Sequence, residues 1–337
     1  MAPADFLRTL KGAAVSLPGR LSRFAPAVGP TVAVVLYLVM YSVYAANESG
    51  ALSLFGIGNL LNDTVVLAVA AAGLTLTVLT AEFDLSGIGV IAIANVVVAT
   101  TSGGTAGWLV SLIAVLAVGA AVGLLNGWLV GVVRLQSLAV TIGTMIACEG
   151  VALMILAAPG GEVAGSIVNG LTGNVAGIPV AALVIVGILG LWFVLASTRF
   201  GIALYAVGTD ENAAQLSGLA VRRTRLLAFV LAGAAYGFAG YMLSAQTGSG
   251  DPRASDSFLL FMYASAAIGG TSLMGGRGGV FGSVIGAGIL TVMQKMLFAL
   301  GAASFYTNVF SGIIMLVSIL IGTLPTLLAR LRPPRTA

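Results

Sequence analysis

The chain has 337 residues, of which 59% are hydrophobic and 8% charged, and its mean hydropathy is +1.09; that leaves too little polar surface for a soluble domain of this length and makes it an all-α integral protein of the lipid bilayer. The net charge is +4, and the arginines stand at the ends of apolar runs, where membrane orientation accounts for them, so no nucleic-acid binding is implied. Histidine is absent and Cys148 is the single cysteine, which excludes Ser-His-Asp and Cys-His nucleophiles, most transition-metal sites and an intrachain disulfide.

Residues 1–27 carry Arg8, Lys11, Arg20 and Arg23 with several prolines and lack the apolar core of a signal peptide, so they read as a basic cytoplasmic tail. Ten apolar runs follow, near 28–46, 61–80, 87–101, 107–131, 137–158, 178–197, 226–247, 257–270, 279–299 and 307–328, long enough or nearly so to cross about 30 Å of hydrocarbon. Residues 329–337 form a second basic tail. With both tails in the cytoplasm, 13 of the 15 basic residues lie on the inner side and only Arg253 and Lys295 toward the exterior, as the positive-inside rule requires.

The runs starting at 61, 87, 107 and 137 are followed by runs starting at 226, 257, 279 and 307, at offsets of 165, 170, 172 and 170 residues. An odd number of spans separates the partners, so the two copies have opposite orientation, an inverted internal repeat. The matching members 87–101 and 257–270 are the shortest. Short partners in two halves point to a translocation pathway, and short apolar helices also occur simply as buried core. Gly119, Gly123, Gly127 and Gly131 recur every fourth residue in one run, and Gly278, Gly282 and Gly286 repeat the pattern in its partner; this spacing lets helix backbones approach closely.

Between the second and third runs lie Glu82, Asp84 and Ser86; either Asp84 or Ser86 caps the helix that follows, or the three form a gate controlled by the acidic pair. Asn95, Asn126, Thr141, Thr144, Glu149 and Tyr263 are the polar groups in spanning runs expected to line a path, although such residues also serve as interhelical glue. Glu149, about twelve residues into the fifth run and near the bilayer centre by length, either joins a proton relay, with Lys295 as a partner, or faces a wet cavity. Residues 198–225 are the long charged interruption, with Arg199, Asp210, Glu211, Arg222, Arg223 and Arg225. Asp210 can cap a short helix that Gly218 ends. By itself the segment fits a basic loop that fixes topology as well as it fits a docking surface. The lysines, Lys11 and Lys295, stand outside any Gly-x-x-x-x-Gly-Lys-Ser/Thr setting, and Gly-x-Gly-x-x-Gly does not occur. No nucleotide site or other cofactor is therefore expected, and energy must come from a gradient or a partner.

The run Ile268-Gly-Gly-Thr-Ser-Leu-Met-Gly-Gly-Arg-Gly-Gly-Val-Phe-Gly-Ser-Val-Ile-Gly-Ala-Gly288, with Thr198-Arg-Phe-Gly201 and Ala206-Val-Gly-Thr-Asp-Glu-Asn-Ala-Ala-Gln-Leu-Ser-Gly218, closely resembles the membrane permeases of ribose-type ABC importers. Phe83-Asp-Leu-Ser86, Gly123-Leu-Leu-Asn-Gly127 and Leu138-Ala-Val-Thr-Ile-Gly-Thr144 add weaker matches, and the resemblance runs from about 57 to 322. It implies a non-enzymatic permease of the bacterial inner membrane that pairs with a second permease subunit. A cytoplasmic ABC ATPase would power it and an extracytoplasmic sugar-binding protein would supply a monosaccharide. It also implies that residues 198–225 are the coupling segment, with Asp210, Glu211, Asn212, Ala213, Ala214, Ser217 and Gly218 facing the ATPase. The chain departs from the family at Glu82, where glycine is usual, in Gly-Ile-Gly after Ser86, and at Glu149, where arginine is frequent. A proton-coupled carrier using Glu149 and a permease for branched-chain amino acids are the alternatives, residues 271–279 favouring the sugar type.

Overall fold

The computed structural model describes residues 25–103 and 107–301, together with 306, 309, 312 and 313; the expected N-terminal tail up to residue 24, the expected C-terminal tail and most of the run at 307–328 lie outside them, while 25–27 already belong to the first helix. The helices are α1 (Ala25–Asn47), α2 (Leu54–Leu79), α3 (Gly87–Thr101), α4 (Gly107–Gly131), α5 (Ser137–Ile155), α6 (Gly165–Thr172), α7 (Val180–Ala196), α8 (Arg199–Thr209), α9 (Glu211–Leu216), α10 (Val221–Thr247), α11 (Phe258–Ile268) and α12 (Val280–Ala299). Among the described residues α2, α4, α5, α10 and α12 are long and apolar enough to cross a membrane, and α7 with α8 makes a sixth span if that bent pair counts as one. Thr31–Asn47, α3 and α11 are shorter apolar helices.

A helix that is apolar all round has to be surrounded, and α2 is: every residue from Thr64 to Leu79 is buried. Ser53 starts it by accepting the Gly56 N–H at 3.0 Å. Helices α7, α8, α10, α11 and α12 pack on or beside it. By contrast α4 and α5 are mostly exposed, only 22% of each spanning window being buried, and their Leu, Ile and Val side chains face outward, as lipid contact demands.

Helix α4 meets α10 backbone to backbone, and a Cβ at Gly119, Gly123 or Gly127 would run into the main chain at Gly233, Phe229 or Leu226. Gly131 stands 3.1 Å, measured from where its Cβ would lie, from the Arg222 carbonyl oxygen. Helix α12 approaches the end of α11 in the same way, through Gly282 against Gly269 and Gly286 against Ser265. Gly278 does not belong to that stripe: it precedes α12 in a turn at φ +103°, a backbone region that suits glycine.

Two features escape a hydropathy reading. Helix α7 turns by 78° into α8 without leaving helical structure for more than a few residues. At the opposite end, the connection between α5 and α7 folds into α6 and a two-residue antiparallel hairpin, β1 (Asn174–Val175) with β2 (Ile178–Pro179). A bridge between Gly160 and Gly250 ties this connection to the segment after α10.

Candidate functional site

The charged interruption is two helices. Thr198 caps α8 by accepting the Gly201 N–H at 3.2 Å. Gly201, Ala203, Leu204 and Val207 of α8 are buried, with Leu204 in one apolar cluster with Leu76 and Leu79 of α2. Asp210 ends α8 and opens α9, its carboxylate accepting the Ala213 N–H at 3.0 Å. At the far end Gly218 adopts φ +79°; its N–H bonds the Gln215 carbonyl while Leu219 N–H bonds that of Ala214, the paired closure of a helix ending in a left-handed glycine. Asn212, Ala213, Gln215, Leu216, Ser217 and Gly218 are exposed, Leu216 by 90%. Ala214 is not on that face: it is buried with Val207 and Val221, because a one-turn helix lying on the protein must turn one side inward. Leu216, which composition alone did not single out, is the most prominent apolar group there.

Residues 79–86, joining α2 to α3, are held by a different element at almost every position. The Leu79 carbonyl accepts the Gly276 N–H at 3.1 Å. Ala81, at φ +62°, lies against Gly275. Glu82 Oε1 lies 2.8 Å from Arg225 Nε, an ion pair whose N–H is not aimed for a hydrogen bond. Arg225 Nη2 also donates to Glu211 Oε2 at 2.8 Å. Phe83 N–H donates to Ser137 Oγ at 3.2 Å, and the Phe83 carbonyl accepts from Thr141. Asp84 N–H donates to Tyr263 Oη at 3.0 Å, the Tyr236 hydroxyl donates to Asp84 Oδ2 at 3.3 Å, and Ser86 gives Asp84 Oδ1 both its N–H and its hydroxyl. Asn126 Nδ2 completes the chain on Ser86 Oγ at 2.9 Å, leaving Asn126 Oδ1 buried without a protein partner.

Ser86 stands at the N-cap of α3 with helical backbone and no side-chain cap, and the Ser86 N–H is the one backbone donor the Asp84 carboxylate meets, so the capping expectation for this pair gives way to a buried polar network. Asp84 is 1% exposed. Burial pushes its carboxyl up to about 6 against the pull of the Ser86 and Tyr236 hydrogen bonds. Burial likewise raises Glu82, opposed by the Ser137 hydrogen bond and the Arg225 charge.

The six residues expected to line a path separate into two groups. Asn95, Asn126, Thr141 and Tyr263 are buried. Asn95 binds Ser244 Oγ at 3.0 Å and the Asp251 N–H at 2.6 Å, and Thr141 bonds the Ser137 carbonyl of its own helix at 2.8 Å and the Phe83 carbonyl at 3.4 Å; both residues tie α3 or α5 to another segment of the chain. Thr144 and Glu149 are partly exposed on α5, beside the open positions Gly143, Ala147 and Gly150. The electrostatic neighbours of Glu149 are Asp256 and Arg253, which sets it toward the segment after α10. Lys295 is not its partner: Lys295 Nζ pairs with Asp63 Oδ2 of α2 at 2.5 Å, since α12 packs on α2 and not on α5.

The chain matches the family described as branched-chain amino acid transport system / permease component over residues 56–319. It is 35% identical to the probable ABC transporter permease protein YphD of Escherichia coli K12 over 325 residues, 96% of this chain and 97% of that one. It is 33% identical to the ribose import permease protein RbsC of Bacillus subtilis over 91% and 94% of the two chains. A shorter match, 40% identical over 43% of this chain and 38% of the relative, joins it to the xylose transport system permease protein XylH of Haemophilus influenzae. No solved structure matches. The family match over residues 56–319 and the permease relatives covered almost end to end show that this membrane chain belongs to that permease-component family, as an ABC transporter permease of the ribose-import type rather than an enzyme.

Proposed function

We propose that the chain is the membrane subunit of an ATP-binding cassette importer that moves a monosaccharide into the cytoplasm by alternating access. Its ten spans form an inverted repeat with both termini inside. The reciprocal packing of α4 on α10 and of α12 on α2 supports this, because the repeat pairs α2 with α10 and α4 with α12. A second permease subunit pairs across the exposed face of α5, where Thr144 and Glu149 flank the open glycines and line the path. An extracytoplasmic sugar-binding protein delivers the solute. The names of the full-length relatives, ribose import permease among them, support the sugar class.

One observation carries the reading: α8 and α9 lie across the ends of the α2 helix and the 269–279 turn and present an exposed leucine tip. Tyr205 of α8 donates to the Gly278 carbonyl at 2.8 Å, Leu204 is buried beside Leu79, and Leu216 stands out by 90%. A partner that seats Leu216 in a pocket therefore pushes on both repeat halves at once. Leu216→Glu removes the apolar tip without touching a buried contact. It should weaken association with the ATPase subunit by about 30-fold or more, the scale of an interface hot spot, measured by binding of the two purified subunits. Retained binding and ATP-driven uptake in this variant, or uphill sugar movement by the purified chain alone, overturns the reading.

A further inference from the structure

Arg225 sits at the base of α10 and pairs with two carboxylates, Glu211 on the docking helix α9 and Glu82 on the α2–α3 junction, each at 2.8 Å. The Arg225 and Glu82 side chains are each only 13% exposed, so water and salt screen this pair far less than a surface one. One cation between two anions holds three elements together. Without the arginine, two carboxylates would face each other and repel. The residue after Glu82, Phe83, donates its N–H to Ser137 Oγ and accepts from Thr141 with its carbonyl, both on α5. A series of polar contacts therefore runs from α9 through Arg225, Glu82 and its neighbour Phe83 to α5.

We infer that Arg225 is a positioning residue that transmits displacement of the docking helix to α5, and that Glu82 and Glu211 are its two handles. The inference deepens the docking reading and rests on it. The apolar contacts of α8 can push the ends of the bundle, but they slide. The guanidinium, hydrogen-bonded to Glu211 and in charge contact with Glu82, resists separation of the two carboxylate-bearing elements as well as their approach. The path helix then follows α9 in both directions of a transport cycle. The link is local to this end of the molecule. Among the described residues the other salt bridge, Lys295 with Asp63, joins α12 to α2 and has no part in it.

The test uses the assembled complex of permease, ATPase and binding protein in proteoliposomes. Import of radiolabelled D-ribose, D-xylose and D-allose is screened, and the sugar the wild type takes up best serves as probe. Sugar moved per ATP hydrolysed is then compared for wild type, Glu82→Gln, Glu211→Gln and the triple swap Glu82→Arg, Arg225→Glu, Glu211→Arg. In the single variants hydrolysis should continue while sugar moved per ATP falls by about tenfold, within the usual range of a coupling between two sites. The triple swap, which restores both attractions with signs reversed, should bring the ratio back. Wild-type ratios in both single variants overturn the inference and leave the docking reading standing. Joint loss of hydrolysis and import that the swap does not repair also overturns it, because the triad then only holds the assembly together. A wild-type complex that imports none of the sugars with ATP brings down the docking reading itself and this inference with it.

Discussion

Gly123 of α4 provides a direct measure of how closely the bundle is packed. A Cβ there would collide with the Phe229 carbonyl of α10, so Gly123→Ala forces the two backbones apart. A helical Gly→Ala change gains about 1 kcal/mol in intrinsic propensity. Overpacking a close approach costs about 1–3 kcal/mol, and breaking each weak Cα–H···O hydrogen bond between the helices removes about 0.5–1 kcal/mol. Gly187 of α7 supplies the control: it is exposed, and nothing would lie within 4 Å of its Cβ. Subtracting one variant from the other cancels the propensity gain and isolates the packing cost, about 2–4 kcal/mol. At roughly 1.4 °C per kcal/mol for a chain of this length, Gly123→Ala in detergent should melt at least about 3 °C below Gly187→Ala, read by fluorescence-detected size-exclusion after heating. Equal melting temperatures for the two would refute the claim that α4 and α10 touch through their main chains.

Three further expectations follow from the polar contacts. The Asp84 carboxyl is held above its ordinary value, to about 6, so the fold prefers it protonated, and stability should rise as pH falls from above 6 toward 4; linkage gives about 1.4 kcal/mol between pH 7.5 and pH 5. Asp84→Asn should remove that pH-dependent part, measured as the difference in melting temperature between the two pH values. Asn95→Ala leaves the Asp251 N–H without its partner, while Ser244 keeps the Gly240 carbonyl; it should cost about 1–3 kcal/mol and speed amide exchange at residues 249–251. A double-mutant cycle between Asp63 and Lys295 should return about 0.2–1 kcal/mol, as expected of a partly exposed pair. The same cycle between Glu149 and Lys295 should return nothing beyond about 0.5 kcal/mol, the usual scatter for independent sites.

Much of the architecture was legible because it rests on local rules. The 87–101 and 107–131 runs coincide with α3 and α4, since an apolar run bounded by polar and glycine residues has few other ways to satisfy its backbone in lipid. Asp210 and Gly218 marked the ends of α9 through capping chemistry that acts within four residues. What remained hidden depends on distance in the chain. Asn95 and Thr141 belong to a residue class that serves both as glue and as path lining, and which role applies is decided by neighbours such as Ser244, 149 residues away. The grip of Arg225 on Glu82 required knowing that α10 begins beside the end of α2. Depth in the bilayer leaves open whether Lys295 pairs with Glu149, whereas lateral packing puts Asp63 within its reach. The small helix α6 and its hairpin were too short and too rich in glycine to leave a periodic signal.

The junction between α2 and α3 also constrains how this chain can change over time. Successive positions there answer to the 275–276 turn, to α10, to α5, to α11 and to α4. Inserting or deleting a single amino acid between Leu79 and Ser86 would move each group downstream of the change onto its neighbour's partner, and no single compensating replacement could restore them. Length should therefore be more strictly preserved in this stretch than side-chain identity, and lineages of such proteins should tolerate gaps in the connection between α5 and α7 long before they tolerate one here.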